Sequence, residues 1–192
     1  MTDELNKKSD KEIEELVLKS QKGDSEAFSL LYDEYFNQMY RYIYYKVDKH
    51  QADDLLETLF LKAWENIKSY KKRKNITFKS WLFRIAHNLV VDHYRLTRVH
   101  QELDPRLPDV NRESNPFDRV QRSLNNESLK NAIDKLKKKY RDIIILKFIN
   151  ELSNEEISGI LKKSEGSVRI LQFRALKTLK ESLEGMGIKD LE

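Results

Sequence analysis

Residues 153–180 read SNEEISGILKKSEGSVRILQFRALKTLK, and they decide the fold. Ser153-Asn154-Glu155-Glu156 is a capping box, in which the Ser hydroxyl caps the N3 amide while Glu156 reaches back to the Ser153 amide. The helix it opens is short and buries Ile157, Ile160 and Leu161. Lys162-Lys163-Ser164 turns the chain, and Ser164 caps a second helix whose inward face is Val168, Leu171, Ala175 and Leu179. Two helices joined by so tight a turn form a helix-turn-helix, whose second helix can lay its early residues against base edges in a major groove. The outward candidates are Ser164, Glu165, Gly166, Ser167, Arg169, Gln172, Phe173 and Arg174. Gly166 would let the helix start approach a DNA backbone, and the helix N-terminus can hold a phosphate. An antiparallel hairpin that binds nothing has the same pattern. Gly159, inside the first helix, has no reason in the sequence.

The rest of the chain is helical for the same kind of reason. Among 192 residues there are five Gly and three Pro, eight in all. Average usage, about 7% Gly and 5% Pro, would give roughly 23. So few breakers argue against β-rich folds and for long helices. In the first half Ile13, Leu16, Val17 and Ser20 mark one helix, and Gly23-Asp24 ends it and caps the next. Phe28, Leu31, Tyr32, Tyr35, Phe36, Met39, Tyr40 and Ile43 then recur at helical spacing. Tyr42, Tyr44 and Tyr45 cannot all face inward on one helix, so some exposure is expected. A third helix over 52–69 buries Leu56, Phe60, Ala63, Trp64 and Ile67, and a fourth over about 78–98 buries Trp81, Leu82, Ile85, Leu89 and Val90. After the connector, Leu129, Ala132, Ile133 and Leu136 line one helix, and DIIILKFI (142–149) makes another. The IIIL run alone suits a buried strand equally well, but its helical neighbours and the lack of turn signals favour helix.

All three prolines, Pro105, Pro108 and Pro116, fall between residues 100 and 123. The chain therefore divides into a helical domain over 1–99, a linker over 100–124 and a second helical domain over 125–192. An ordered loop is the other reading, but a loop of that length inside one compact domain is unusual. The fold class is all-α: two small helical domains, the second with the helix-turn-helix. Net charge is +4. Residues 1–99 carry 18 basic and 16 acidic side chains, 100–123 four and five, and 124–192 14 and 11. So mild an excess permits nucleic-acid binding without requiring it.

Two local clusters say more. Residues 70–79, YKKRKNITFK, set Lys71, Lys72, Arg73, Lys74 and Lys79 around Asn75 and Thr77, with Tyr70 and Phe78 at the flanks. Cations that track phosphates and aromatics that stack bases suit single-stranded nucleic acid. Arg84, His87, Asn88 and Arg95 extend that chemistry along one face of the next helix. A solvated charge run is the alternative. On the third helix Asp53, Asp54, Glu57, Thr58, Leu61, Lys62 and Glu65 point away from the core. An acidic, partly apolar strip suits a protein partner, and an ordinary solvated face suits it as well.

Enzyme chemistry finds little support. There is no Cys, so no disulfide framework, thiolate metal site or cysteine nucleophile. None of His50, His87, His93 and His100 has metal-ligand spacing, and no phosphate-binding loop or nucleophile elbow occurs. Asp92-His93 suits surface or phosphate contact rather than catalysis. The expectation is a non-enzyme with no catalytic residue, metal, cofactor or small-molecule substrate. The N-terminus shows no signal peptide and no run reaches membrane-spanning length, so the cytoplasm is expected.

The four blocks, in this order, resemble an extracytoplasmic-function (ECF) sigma factor of bacterial RNA polymerase. GDSEAFSLLYDEYF (23–36) resembles the opening of sigma region 2, ADDLLETLFLKAW (52–64) its polymerase-binding helix, FKSWLFRIAHNLVVDHYR (78–95) its −10-reading helix, and 132–180 region 4. The resemblance implies promoter-specific transcription initiation. Region 2 would bind the clamp of core RNA polymerase and region 4 its flap. The recognition helix would read the −35 element as duplex. Region 2 would open the −10 element, with residues 70–77 forming a pocket for an extruded base and Arg84, His87, Asn88 and Arg95 holding the single strand. Extrusion costs a few kcal/mol, which pocket and phosphate clamps must offset. The clamp would take Asp53, Asp54, Glu57, Thr58, Leu61 and Lys62, and the linker would thread the polymerase cleft. An anti-sigma factor, which could hold the protein at the membrane, is also implied. The chain departs from the family at Glu57-Thr58, where Gln-Glu is usual, at Lys162-Lys163, where Gly and an apolar residue are usual, and at Leu171-Gln172. A free-standing helix-turn-helix regulator that never meets polymerase is the alternative function.

Overall fold

The computed structural model describes residues 8–73, 76–103 and 127–186. The expected linker lies almost wholly outside them, as do Lys74 and Asn75. The elements are α1 (Asp10–Gln21), α2 (Ser25–Tyr44), α3 (Lys49–Asn66) with a 3₁₀ turn (Ile67–Ser69), α4 (Phe78–Leu103), α5 (Glu127–Asp134), α6 (Lys138–Ile144) continuing in a π-helical turn (Ile145–Ile149), α7 (Asn154–Leu161) and α8 (Glu165–Glu184). No strand occurs among the described residues, and the IIIL run is helical as expected.

Local chemistry sets most boundaries. Ser9 and Glu12 form a capping box on α1, and Asp24 caps α2 through the Ala27 amide at 3.0 Å. Between them Gly23 has φ +96°, a conformation that costs other residues a Cβ clash. Thr77 opens α4, its hydroxyl accepting the Ser80 amide at 3.0 Å.

The first bundle packs α1, α2 and α3 with α4 around Leu31, Met39, Ile43, Leu56, Leu59 and Leu82, all buried. Aromatic rings fill the wider gaps: Phe28 meets Trp64 edge-on at 5.0 Å, and Tyr42 meets Phe83 at 5.4 Å and 89°. The expected exposure around Tyr42, Tyr44 and Tyr45 is confined to Tyr44 and is partial. Tyr42 and Tyr45 are buried and Tyr44 is half-buried. Two causes act: α2 ends at Tyr44, which lets Tyr45 swing inward, and Lys130 of the second bundle lies over the Tyr44 ring at 5.3 Å.

The second bundle wraps α5, α6, α7 and α8 around Ile133, Ile143, Ile144, Ile157 and Val168. The buried residues of the two bundles join in one apolar cluster, and α4 packs against α7. No helix among the described residues is long and apolar enough to cross a membrane.

Candidate nucleic-acid interface

The helix-turn-helix forms as its sequence requires. Ser153 and Glu156 exchange both capping bonds, at 3.1 and 2.9 Å. Lys162 takes the left-handed conformation, φ 53° and ψ 47°, in the turn where the family usually has Gly. That conformation costs an L-residue roughly 1–2 kcal/mol. The bonds that hold it are the Lys163 amide to the Ser158 carbonyl at 3.1 Å and the Ser158 hydroxyl to the Lys163 carbonyl at 2.7 Å.

Ser164 caps α8 through the Ser167 amide at 3.2 Å. Ser164, Glu165, Gly166, Ser167, Arg169, Phe173 and Arg174 are all exposed. Phe173 is 74% exposed, an unusual setting for a large apolar ring. A Cβ at Gly166 would meet nothing within 4 Å, so the space in front of the helix start is open. Arg169 pairs with Glu165, at 3.4 Å along the helix. Gln172 differs: it is half-buried and donates to Asn154 Oδ1 at 2.6 Å, bracing α8 against the start of α7.

The basic loop is an exposed excursion pinned at its base. Arg73 and Ile76 pair across it, the Ile76 amide reaching the Arg73 carbonyl at 3.0 Å. Lys71, Lys72 and Arg73 are exposed, and Lys72 pairs with Glu14 of α1. Tyr70 is buried, its ring against Phe78 and Trp81 at 5.5 Å each. It anchors the loop and lends part of its surface to the cavity beside it. That cavity has a volume of about 590 Å³. Its lining sets apolar side chains (Ile13, Val17, Tyr35, Phe78) among lysines (Lys8, Lys71, Lys72, Lys79) and carboxylates (Asp10, Glu14, Glu34, Glu156).

Along α4 the expected strand face divides. Asn88 and Arg95 are exposed. Arg84 is turned onto α7, where its Nη2 donates to the Gly159 carbonyl at 2.6 Å. This contact gives Gly159 a context: a Cβ there would stand 3.5 Å from Arg84 Nη2, so Ala fits and anything longer meets the guanidinium. Thr77 donates to Glu156 Oε1 at 3.0 Å and Lys79 to the Asn150 carbonyl at 3.4 Å. His87 is half-buried, with Nδ1 3.1 Å from the Tyr42 hydroxyl. Burial, then the nearby Lys46 ammonium, lowers its pKa to about 4. In this arrangement it is a neutral ring at neutral pH, not a phosphate-holding cation. His93 pairs with Gln51 Oε1 at 2.8 Å.

The α3 strip is intact. Asp54, Glu57, Leu61 and Lys62 are exposed together, Leu61 at 60%, while Asp53 and Thr58 are half-buried. The Thr58 hydroxyl donates to the Asp54 carbonyl at 2.8 Å.

Sequence reading missed one group. Lys46 and Asp142, 4% and 7% exposed, form a buried ion pair between the bundles. Burial pushes the Lys46 ammonium toward its neutral form, and Asp142 opposes that shift. The partners are 96 residues apart, so no local pattern could reveal them.

A bundle with an exposed acidic-apolar strip and a basic loop, followed by a helix-turn-helix, defines the class of transcription initiation factors that bind promoter DNA. Among known families, Sigma-70 region 2 matches residues 31–99 and Sigma-70 region 4 matches residues 126–179. The chain is 38% identical over 168 residues to the ECF RNA polymerase sigma factor BldN of Streptomyces coelicolor, covering 86% of this chain and 63% of BldN. It is 30% identical over 185 residues to the ECF sigma factor SigW of Bacillus subtilis, covering 91% of this chain and 98% of SigW. In fold it is similar to CnrH, solved with the cytosolic domain of CnrY, with TM-score 0.66 at 22% identity over 92% of this chain and 99% of CnrH. It is also similar to the sigma factor RpoE of Bartonella quintana, solved with the anti-sigma factor NepR, with TM-score 0.64 at 23% identity over 80% and 96%. The chain belongs to the ECF sigma factors, the alternative sigma factors of bacterial RNA polymerase.

Proposed function

We propose that this sigma factor directs core RNA polymerase to promoters by reading the −35 element as duplex with α8 and the −10 element as a single strand with the 70–77 loop and α4. The unit over 1–99 takes the −10 strand and the polymerase clamp, the unit over 125–192 takes the −35 duplex and the flap, and 100–124 connects them. The observation that carries the reading is the cavity beside the loop, in which apolar side chains lie next to Lys71, Lys72 and Lys79. Those apolar side chains can accept an extruded base while Lys71, Lys72 and Lys79 hold the flanking phosphates.

On α8, Ser167, Arg169, Phe173 and Arg174 are the base-facing candidates, and Ser164 and Glu165 sit at the phosphate-facing start. Asp53, Asp54, Glu57, Thr58, Leu61 and Lys62 form the clamp contact. The protein is not itself an enzyme; the polymerase performs the chemistry. It works in the cytoplasm, and an anti-sigma factor restrains it, as NepR accompanies its RpoE in the solved complex.

Initiation by purified core polymerase tests this. Wild-type protein is expected to support promoter-dependent transcripts, and the double reversal Glu57→Lys/Lys62→Glu to abolish polymerase binding while the isolated chain still binds duplex DNA. Wild-type protein that binds duplex DNA but no polymerase would favour the free-standing regulator, and a double variant that still binds polymerase would move the contact off α3.

A further inference from the structure

Residues 130–142, KNAIDKLKKKYRD, hold six cations and two carboxylates, an excess of four that equals the net charge of the whole chain. Both carboxylates are engaged. Asp134 takes Lys130 at 3.1 Å and Arg141 at 3.5 Å, and Asp142 pairs with Lys46 across the seam between the bundles. Lys135, Lys137, Lys138 and Lys139 remain. All four are exposed, and no carboxylate among the described residues pairs with them. On α8, by contrast, Arg169 and Lys180 each pair with a carboxylate four residues away, the usual arrangement on an exposed helix.

Folding does not ask for these lysines. Lys137 precedes α6 and makes no capping bond, and the first turn that follows contains no acidic residue. The positive end of the helix dipole lies there and disfavours cations. A lysine tract at such a place suits a negatively charged partner outside the chain.

The arrangement also says which kind. Consecutive helical positions lie about 100° apart, so the ammonium groups fan over a convex surface and do not converge on one point. That shape fits charges set in rows, not a compact anion. A single strand would use open rings to stack its bases. The two rings beside the lysines are already taken: Lys138 lies over Tyr94 at 5.9 Å and Lys139 over Tyr140 at 5.1 Å. Lysine is a point charge without the fork that reads a base edge, so its fitting partner is the backbone. Duplex DNA offers one phosphate charge per about 1.7 Å of its axis. Since α6 packs on α8, the lysines and the exposed face of α8 ride on one bundle.

We infer that Lys135, Lys137, Lys138 and Lys139 form a sequence-independent contact with duplex DNA, binding backbone phosphates outside the base pairs that α8 is proposed to read. The contact needs no base reading by α8.

The test uses the full chain and a dye-labelled duplex of random sequence, titrated over a range of salt. The variant Lys135→Gln/Lys137→Gln/Lys138→Gln/Lys139→Gln should bind more weakly. Its log–log salt slope should be shallower by about 0.9 for each lysine that meets a phosphate, up to about 3.6. The matching four Lys→Arg changes keep the charge and should keep the slope. A control set, Lys11→Gln/Lys19→Gln/Lys22→Gln/Lys68→Gln, removes the same charge from exposed positions of the first bundle and should leave the slope as it was. A wild-type slope in the first variant would overturn the inference. An equal change in the control set would overturn it too, marking net charge and not a site. An equal or larger change on single-stranded DNA would overturn the duplex assignment.

Holoenzyme separates this contact from its neighbours. A photoreactive amino acid in place of Lys139 should crosslink to promoter DNA, and crosslinks to polymerase alone would overturn the inference. On a cognate −35 duplex the first variant should lose affinity by the same factor as on random sequence and keep its base preference. If substitutions on α8 leave base preference untouched while the lysine variant still shows the shallower slope, the −35 assignment fails and the lysine contact stands.

Discussion

The two surfaces proposed to face DNA differ in what they already touch. On α8, Ser167, Arg169, Phe173 and Arg174 are exposed; Arg169 pairs with Glu165 of its own helix, and Gln172 is braced by Asn154. On the first bundle, Thr77, Lys79 and Arg84 are bonded to the second bundle and His87 is drawn inward to Tyr42. On the proposed assignment, the helix that would read the duplex is exposed, whereas part of the face that would hold the strand is already bonded to the second bundle.

The sharpest way to break the comparison is at Lys46. Lys46→Met leaves Asp142 buried without its counter-charge, which typically costs about 3–5 kcal/mol. The bundles should lose that support and separate, so urea denaturation splits into two transitions. The double variant Lys46→Met/Asp142→Leu should restore a single transition, because apolar pairs often replace buried ion pairs at little cost. Lys46→Met with wild-type cooperativity would show that the seam does not depend on the pair.

On the free surface the effects are smaller and independent of the seam. Arg169→Ala or Arg174→Ala, if either reads a base edge, should cost about 1–3 kcal/mol of binding to a cognate −35 duplex and relax preference at one base pair. A uniform loss across sequences, with a salt slope shallower by about 0.9, would mark that Arg as a phosphate contact instead.

His87 gives the packed bundles a pH dependence. Its pKa is lowered from 6.5 to about 4 by burial and by Lys46 and Lys138, with Asp142 opposing. Between those values the unfolded chain binds a proton that the fold refuses. Stability is therefore full above about pH 6.5 and declines as pH falls toward about 4. Denaturation midpoints at about pH 7.5 and about pH 5 measure this, and His87→Gln should flatten the difference. The smallest expected effect is a gain: Lys162→Gly relieves the left-handed residue in the helix-turn-helix turn and should add about 1 kcal/mol without altering DNA preference.

What the sequence makes legible is what neighbouring residues decide. The Ser153–Glu156 capping box, the Ser164 cap and the Gly23-Asp24 break appear where their chemistry places them, because each needs partners only three or four residues away. The exposed α3 strip and the open face of α8 follow from helical period alone. The inward turn of Tyr45, the anchoring of Tyr70 and the neutrality of His87 are not legible, because each depends on where another helix lies. The seam is the extreme case: Arg41 to Ile149 spans 108 residues, and Arg84 to Gly159 spans 75. Basic residues on one helical face look the same whether they await phosphate or rest on a carbonyl.

The central claim, that this chain is a promoter-reading subunit whose two bundles meet DNA separately, is tested most directly by mapping transcript starts from genomic DNA with purified core polymerase, with and without the protein. The account predicts a small set of protein-dependent starts sharing two upstream elements at fixed spacing. Substitutions in α8 should alter only the distal element, and substitutions in the 70–77 loop only the proximal one. No protein-dependent start, or starts with a single shared element answering to α8 alone, would contradict it.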